Sequence, residues 1–216
     1  MGSDGLRLLI EAGNPIVSIE TPDEPRALAH VTRVAEGLCW PLCQWSVTEG
    51  LTQMPLAGGQ TLAPPGKPAA ALAKVKETAY PALYVFKDLG AHCRDPQVAR
   101  LLRDLYFAPP GRLWTMILID AAGLPPEVRR LTVPFAIGWP DEQEFLEVVR
   151  STFREARSRS LAQLEARLTQ RDLEQLVQSL RGLTLDEAGR IVSAAIHHDD
   201  VFDAADLPLI IDAKRN

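Results

Sequence analysis

Short apolar runs that alternate with helical patterns are the feature that most constrains how this chain can fold. Between residues 14 and 138 these runs read PIVSIE, PLCQWSV, PALYVFKDLG, RLWTMILIDAAG and TVPFAIG. The segments between them carry the three-to-four-residue spacing of apolar positions that indicates helices. Strands that are apolar on both faces and separated by helices are typical of a parallel sheet covered on both sides. The pattern therefore predicts an α/β fold with a five-stranded, mainly parallel sheet.

The pattern changes after Pro140, where helical segments take over. They read DEQEFLEVVRSTFREARSR, continued by LAQLEARL, then TQRDLEQLVQSLRGL and TLDEAGRIVSAAIHH. Thr184 and Glu187 have the Thr-x-x-Glu spacing of a capping box at the start of the last segment. The one strand candidate in this half is LPLIID, near the end of the sequence. The predicted domains are an α/β core, a small helical bundle and a C-terminal tail, at residues 1–139, 140–200 and 201–216.

The first strand, IVSIE, leads into a helix through the turn TPDEP. A phosphate-binding turn at such a junction needs glycines, whose N–H groups wrap the phosphate, and a lysine, in the order Gly-x-x-x-x-Gly-Lys-Ser/Thr. Here two prolines remove backbone donors, and Glu20, Asp23 and Glu24 would repel phosphate. Thr21 or Asp23 is expected to cap the helix instead. The Gly- and Pro-rich segment 49–68 also lacks the required spacing and is predicted to be a long exposed loop.

Composition narrows the classes of function. The net charge is −5, and the basic residues are interleaved with acidic ones, which argues against a nucleic-acid partner. No run approaches the roughly 20 apolar residues of a membrane span, and the N-terminus has no secretory signal, so a cytoplasmic protein is expected. Three cysteines without a second closely spaced pair predict buried thiols rather than a metal site.

Four segments, taken in order, resemble the AAA+ module, in which an α/β core precedes a helical lid. They are PALYVFKDLGAH, LWTMILIDAAGLPPEVRRL, VPFAIGWPDEQEFLEVVR and LVQSLRGLTLDEAGRIVSAAI. The opening LLIEAGNPIVSIETPDEPR and the closing LPLIIDAKRN are similar to the AAA ATPase family of plastid and cyanobacterial type. In that family a degenerate N-terminal half precedes a conventional ATPase half. The resemblance covers nearly all of this chain but only the first half of the family's protein.

The resemblance implies roles for four residues. Asp88 stands where the Walker B aspartate would bind Mg²⁺, but Leu89 follows it where hydrolytic members carry a glutamate. Asp120 stands where a polar sensor of the γ-phosphate would lie. Arg129 and Arg130 lie near the position of an arginine finger. The alternatives are that both aspartates cap turns at strand ends, and that the arginines form surface ion pairs or belong to a subunit interface without catalysis.

Three hypotheses follow for the function. The first is a non-catalytic AAA+-like module for oligomer assembly or partner binding beside an ATPase, which would bind no cofactor unless a residual site holds ATP and Mg²⁺. Its partners would be proteins, in homo- or hetero-oligomers, and neither nucleic acid nor membrane. The second is the N-terminal part of an active ATPase whose hydrolysing domain lies outside this chain. The third is an unrelated α/β small-molecule enzyme with a pocket at the carboxyl ends of the strands.

Overall fold

The structure is a computed structural model. It describes residues 3–54, 61–109, 111–159, 165–166, 168–196, 201–203, 208 and 211. The chain divides into two compact units, Met1–Gly138 and Trp139–Asn216, called unit 1 and unit 2 below. Among the described residues, no helix is long and apolar enough to cross a bilayer.

Unit 1 combines a sheet with helices on both of its faces. Its helices are α1 (Ser3–Glu11), α2 (Glu24–Leu38), α3 (Pro68–Lys76), a 3-10 helix (Leu89–His92), α4 (Pro96–Tyr106) and α5 (Pro126–Arg129). Its strands are β1 (Ile16–Glu20), β2 (Leu42–Ser46), β3 (Gly50–Met54), β4 (Thr61–Ala63), β5 (Ala82–Lys87), β6 (Trp114–Asp120) and β7 (Val133–Pro134).

The sheet has the strand order β4-β3-β2-β5-β6-β1-β7. Strands β2, β5, β6, β1 and β7 are parallel, whereas β3 is antiparallel to β2 and β4 is antiparallel to β3. The predicted α/β class with a mainly parallel sheet is therefore confirmed, and the number of strands is corrected from five to seven. Strand β7 is much shorter than its apolar run, although the Phe135 N–H still donates to the Ser18 carbonyl at 2.8 Å.

The two additional strands correct the prediction of a long exposed loop at residues 49–68. Residues 50–54 and 61–63 form a hairpin at the edge of the sheet, and residues 55–60 lie outside the described part. Gly50 permits the hairpin because its φ is +75° and a Cβ there would lie 2.3 Å from the carbonyl oxygen of Ala63. Gly50 allows two strands to pack closely, whereas the Gly- and Pro-rich composition of residues 49–68 indicates a loop with many turns.

Side-chain alternation along the central strands gives unit 1 two apolar layers. Tyr84, Phe86, Met116 and Leu118 face the layer that also contains α3 and α4. The intervening positions, Leu83, Val85, Ile117 and Ile119, face α1 and α2. Because β5 and β6 are buried on both faces, their carboxyl ends are held between two packed layers, which fixes the polar residues that follow them.

Unit 2 is mainly helical, as the sequence predicts. Its elements are α6 (Glu142–Arg159), β8 (Glu165–Ala166), α7 (Gln170–Leu180), α8 (Leu185–Ile196) and β9 (Val201–Phe202). The helices share a core that includes Phe145, Leu176, Leu180, Val192 and Ile196. The predicted capping box of α8 is confirmed, because the Glu187 N–H donates to Thr184 Oγ1 at 3.2 Å and the Thr184 N–H donates to Glu187 Oε2 at 2.8 Å.

Two predictions for unit 2 are wrong. The helical continuation LAQLEARL does not hold at Glu165 and Ala166, which pair in parallel with β9, and residues 161–164 lie outside the described part. A pairing between distant segments leaves no trace in local periodicity. In LPLIID the two described residues, Pro208 and Ile211, are helical rather than extended.

Candidate functional site

Three carboxylates lie at the carboxyl ends of three neighbouring strands of unit 1. Glu20 ends β1 and is the register partner of Asp120, which ends β6. Asp88 follows β5, and its N–H donates to the Ile119 carbonyl at 2.9 Å. Alternation along the parallel strands places Glu20 and Asp120 on the same face of the sheet, the face of Ile16 and its layer. Glu20, Asp120 and Asp88 are called the acidic row below, and Asp120 is its central member.

Asp120 is buried, with 3% of its surface exposed. Its Oδ1 accepts a hydrogen bond of 2.7 Å from the N–H of Gly90, while its Oδ2 has no hydrogen-bond partner among the residues that the structure describes. Burial is the main cause that raises the pKa of this carboxyl to about 6; the Gly90 hydrogen bond opposes the rise, and the charges of Asp88 and Glu20 add to it. A Cβ at Gly90 would lie 2.7 Å from Asp120 Oδ1, so only glycine lets the 3-10 helix approach this carboxylate.

Glu20 is tied to the segment that follows β6. Its Oε1 accepts from Arg129 Nε at 3.0 Å and lies 2.9 Å from Arg129 Nη2. The Leu124 N–H approaches the same oxygen at 3.4 Å. Gly123, with a φ of +77°, passes so close that its Cβ would lie 3.3 Å from Arg129 Nη2. The ion pair therefore holds the β6–α5 connection against the end of β1.

Asp88, in contrast to Asp120, is exposed. Its φ of 51° and ψ of 35° are left-handed, a conformation that Asp, Asn and Gly adopt more readily than other residues. Its Oδ1 lies 3.5 Å from the N–H of Ala121, at the limit of a hydrogen bond. The preceding Lys87 does not neutralise the row, because its Nζ pairs with Glu24 Oε1 at 3.0 Å.

The turn between β1 and α2 is closed by its own side chains. Asp23, rather than Thr21, is the N-cap of α2, and its Oδ1 accepts from the Arg26 N–H at 3.2 Å. The Thr21 hydroxyl instead accepts from the Asp23 N–H at 3.1 Å. Pro25 stands in the first turn of the helix and has no N–H to offer. A carboxylate thus already occupies the helix terminus that would otherwise attract an anion.

These residues do not fit ATP with Mg²⁺. The turn has no glycine and no lysine, and carboxylates line the adjacent strand ends, where phosphate would need cations and N–H donors. Within the described residues, no group of three His, Cys, Asp or Glu side chains is placed to hold a metal ion. Asp88 and Asp120 lie at the ends of neighbouring strands, among carboxylates rather than phosphate-binding groups, and their part in a nucleotide site stays a prediction.

The two arginines differ in their surroundings. Arg129 is engaged by Glu20 in the same chain, which agrees with the surface ion pair that the sequence left as an alternative. Arg130, the next residue, is exposed. Of the three thiols, Cys43 and Cys93 are buried as predicted, whereas Cys39 is exposed because it ends α2 in a left-handed conformation. The sequence did not indicate the role of Gly90 or that Glu20 is the partner of Arg129, because both depend on contacts between separate loops.

Comparison of solved structures places this architecture among AAA domains. The AAA domain of FIGL-1 superposes with a TM-score of 0.63 at 10% identity, covering 92% of this chain and 70% of that one. A mutant of Thermotoga maritima RuvB superposes with a TM-score of 0.56 at 11% identity, covering 98% of this chain and 66% of that one. At these identities the similarity establishes the fold alone.

Sequence comparison identifies the family. The N-terminal domain of the SpoVK-like AAA ATPases matches residues 3–137, and the second domain of the same family matches residues 143–216. The chain belongs to the SpoVK-like AAA ATPase family. It is also 23% identical over 215 residues to the uncharacterized AAA domain-containing protein ycf46 of Trieres chinensis, spanning 99% of this chain and 41% of that protein.

Family membership confirms the resemblance seen in the sequence motifs and rules out the hypothesis of an unrelated α/β enzyme. The assignment of a core, a lid and a tail to residues 1–139, 140–200 and 201–216 stays a prediction.

Proposed function

We propose that this chain is a non-catalytic AAA-type module that serves oligomer assembly or protein-partner binding beside an ATPase half. The observation that carries the proposal is the closure of the β1–α2 turn. Asp23 caps α2 with its own carboxylate, so an incoming phosphate would have to displace a negative charge from the helix terminus. Because the turn has no glycine, its backbone is not suited to wrap a phosphate in place of that cap.

The surroundings of Asp88 support the same proposal. Leu89 occupies the position at which a hydrolytic relative would orient water, and its side chain is fully buried in the apolar core. Leucine has no group that could accept a proton or position a water molecule. A nucleotide that did bind here would therefore meet no general base at this position.

In an assembly role, Arg129 and Arg130 would contribute to a protein interface rather than to catalysis. Arg130 is exposed beside Arg129, whose guanidinium is already engaged by Glu20. In a ring of AAA-type modules, an exposed arginine at this place would face a neighbouring subunit. We therefore assign Arg130 to a protein interface, with Arg129 supporting the loop that presents it.

The chain spans 41% of the length of its curated relative, which favours a second candidate function compatible with the first. In this view the module is the regulatory or structural half of an ATPase whose hydrolysing domain is encoded further along the same protein. A downstream Gly-x-x-x-x-Gly-Lys-Thr sequence in the full gene would support it, since that motif supplies the phosphate-binding groups missing here.

Calorimetric titration with ATP and Mg²⁺ tests the central proposal. We expect no saturable binding to the wild-type chain. Binding tighter than roughly 100 µM, abolished by Asp88→Asn but retained by the control Asp4→Asn, would refute it. Asparagine is chosen at position 88 because it removes the charge and still tolerates the left-handed backbone. Asp4 is an exposed aspartate in α1, distant in sequence from the site.

Sedimentation velocity tests the assembly role separately. Arg130→Gln is expected to weaken association of the chain with itself or with an ATPase half, while leaving the unfolding transition unchanged because Arg130 is exposed. The matched control is Arg190→Gln in unit 2, an exposed arginine that pairs with Asp186 on its own helix. Equal effects of the two substitutions would argue against an interface at Arg130.

A further inference from the structure

Of the three carboxylates in the acidic row, one forms an ion pair with a cation of the described structure. Arg129 neutralises Glu20, and Lys87, the other cation close by, is engaged by Glu24. Asp120 and Asp88 form no ion pair within the part of the chain that the structure describes. The row therefore holds more negative charge than its described surroundings offset.

The unpaired charge is concentrated on a buried atom. Only 3% of the Asp120 surface is exposed, and its Oδ2 has no hydrogen-bond donor although its Oδ1 has a close one. Buried polar atoms are nearly always satisfied in folded proteins, and an exception calls for an explanation such as a bound water, an ion, a ligand or a functional role. The unsatisfied oxygen belongs to the residue that ends β6, next to the strand that the exposed Asp88 follows, at the carboxyl ends of the parallel strands.

We propose that the acidic row is a receptor for an arginine side chain of a protein partner, whose guanidinium pairs with the exposed Asp88 carboxylate and, when the contacts that cover Asp120 open, donates to Asp120 Oδ2. The proposal rests on the partner-binding role proposed above, and it specifies an arginine as the side chain by which the partner binds. Asp88 would meet the guanidinium at the surface, and Asp120 would supply the acceptor beneath it.

The geometry favours a guanidinium over a metal ion. A metal ion needs several ligand atoms around one point, and the described residues offer no group of three suitable side chains. A guanidinium carries five N–H donors in one plane and can bridge carboxylates on neighbouring strand ends. Within the row itself, Glu20 already accepts a guanidinium, that of Arg129. Arginine also suits a buried acceptor better than lysine, because its guanidinium is more weakly hydrated.

The test uses the intact chain and a blocked glycine-arginine-glycine tripeptide, with the citrulline tripeptide as a neutral control of the same shape. The amide N–H groups of Gly90 and Ala121 report on Asp120 and Asp88 respectively, so their NMR shifts should change saturably with the arginine peptide. We expect the citrulline peptide, and the Asp120→Asn variant with the arginine peptide, to bind about ten-fold more weakly, since charge-assisted bonds are lost. The control Glu147→Gln, an exposed position on α6, should bind normally.

Equal shifts with both peptides, or binding unaffected by Asp120→Asn, would overturn the proposal. Sedimentation then identifies the source of the arginine: a wild-type oligomer that Asp120→Asn dissociates indicates a second copy, and a monomer that binds the peptide indicates another protein. ATP binding in the calorimetric titration would refute the non-catalytic proposal by itself, because the peptide titration contains no nucleotide. The two proposals can therefore fail independently.

Discussion

Replacing Asp120 by asparagine tests how much the acidic row costs the folded state. The substitution keeps the oxygen that accepts from the Gly90 N–H at 2.7 Å and removes the charge from the oxygen that has no partner. The two side chains have nearly the same shape, so packing around this buried position should hardly change. We therefore expect Asp120→Asn to raise the free energy of unfolding of unit 1 at neutral and higher pH.

The magnitude follows from the pKa of the Asp120 carboxyl, which burial raises from 3.8 to about 6. A shift of about two units corresponds to roughly 3 kcal/mol of free energy. The folded state binds more protons than the unfolded state between about pH 4 and pH 6, so stability falls as the pH rises through that window and stays lower above it. Asparagine avoids this loss. The expected gain is near zero at about pH 4 and about 1–3 kcal/mol at about pH 8, the lower figure allowing for an amide group that must itself find a partner.

Urea unfolding followed by tryptophan fluorescence measures this gain. Three of the four tryptophans, Trp40, Trp45 and Trp114, lie in unit 1 and report its unfolding. Comparing the wild type and the variant at each pH cancels the titration of the other carboxylates. Asp120→Ala is the control, because it also removes the acceptor of the Gly90 N–H and should destabilise by about 1–3 kcal/mol relative to Asp120→Asn. A variant no more stable than the wild type at pH 8, with no pH dependence of the difference, would refute the reasoning.

Other substitutions probe the contacts that shape the site and the second unit, each by urea unfolding followed by circular dichroism. Gly90→Ala should cost about 1–3 kcal/mol, because its Cβ would lie 2.7 Å from Asp120 Oδ1, whereas the control Gly37→Ala, with no atom nearer than 4.0 Å, should stabilise α2 by about 0.5–1 kcal/mol. Asp23→Ala removes the N-cap of α2 and should cost about 1 kcal/mol; no loss would mean that the cap contributes nothing. Thr184→Ala should cost unit 2 a similar amount, about 1 kcal/mol, by opening the capping box of α8, and an unchanged transition would contradict that role.

The order of strands and helices could be predicted because local patterns determine it. Each central strand is a nearly continuous apolar run, since both of its faces are buried. Helices such as α2 and α4 carry an apolar stripe and begin at a capping aspartate, Asp23 and Asp95 respectively. The β3–β4 hairpin could not be predicted in this way. Its residues form strands because they pair with β2 and because Gly50 lets two backbones approach closely, and both causes lie in tertiary contacts.

Like the fold, the candidate site could be predicted from the sequence only where local patterns determine it. Parallel topology brings the carboxyl ends of the strands to one end of the sheet, so Asp88 and Asp120 could be placed at that end from the sequence. That their strands are neighbours is shown only by the structure. The burial of Asp120 and the donor that it receives from Gly90 depend on how the 3-10 helix folds back over β6. The pairing of Glu20 with Arg129 depends likewise on the path of the β6–α5 connection. The sequence pattern predicts neither how the 3-10 helix folds back nor which path the β6–α5 connection takes.

Under the function proposed above, the acidic row and the closed turn have a common explanation, which is that neither has to bind phosphate. A site for phosphate needs positive charge, and here the two cations that the described structure places beside the row are each engaged by a carboxylate of the same chain: Lys87 by Glu24 and Arg129 by Glu20. Such pairs stabilise the strand ends without a ligand, but they leave Asp120 buried and without a cation. A domain under selection for stability alone could replace that aspartate by asparagine with little change in shape. An aspartate that costs stability in the isolated chain is what we expect where a partner's cation completes the site, so stability gained by Asp120→Asn and binding lost by the same substitution would have one physical cause.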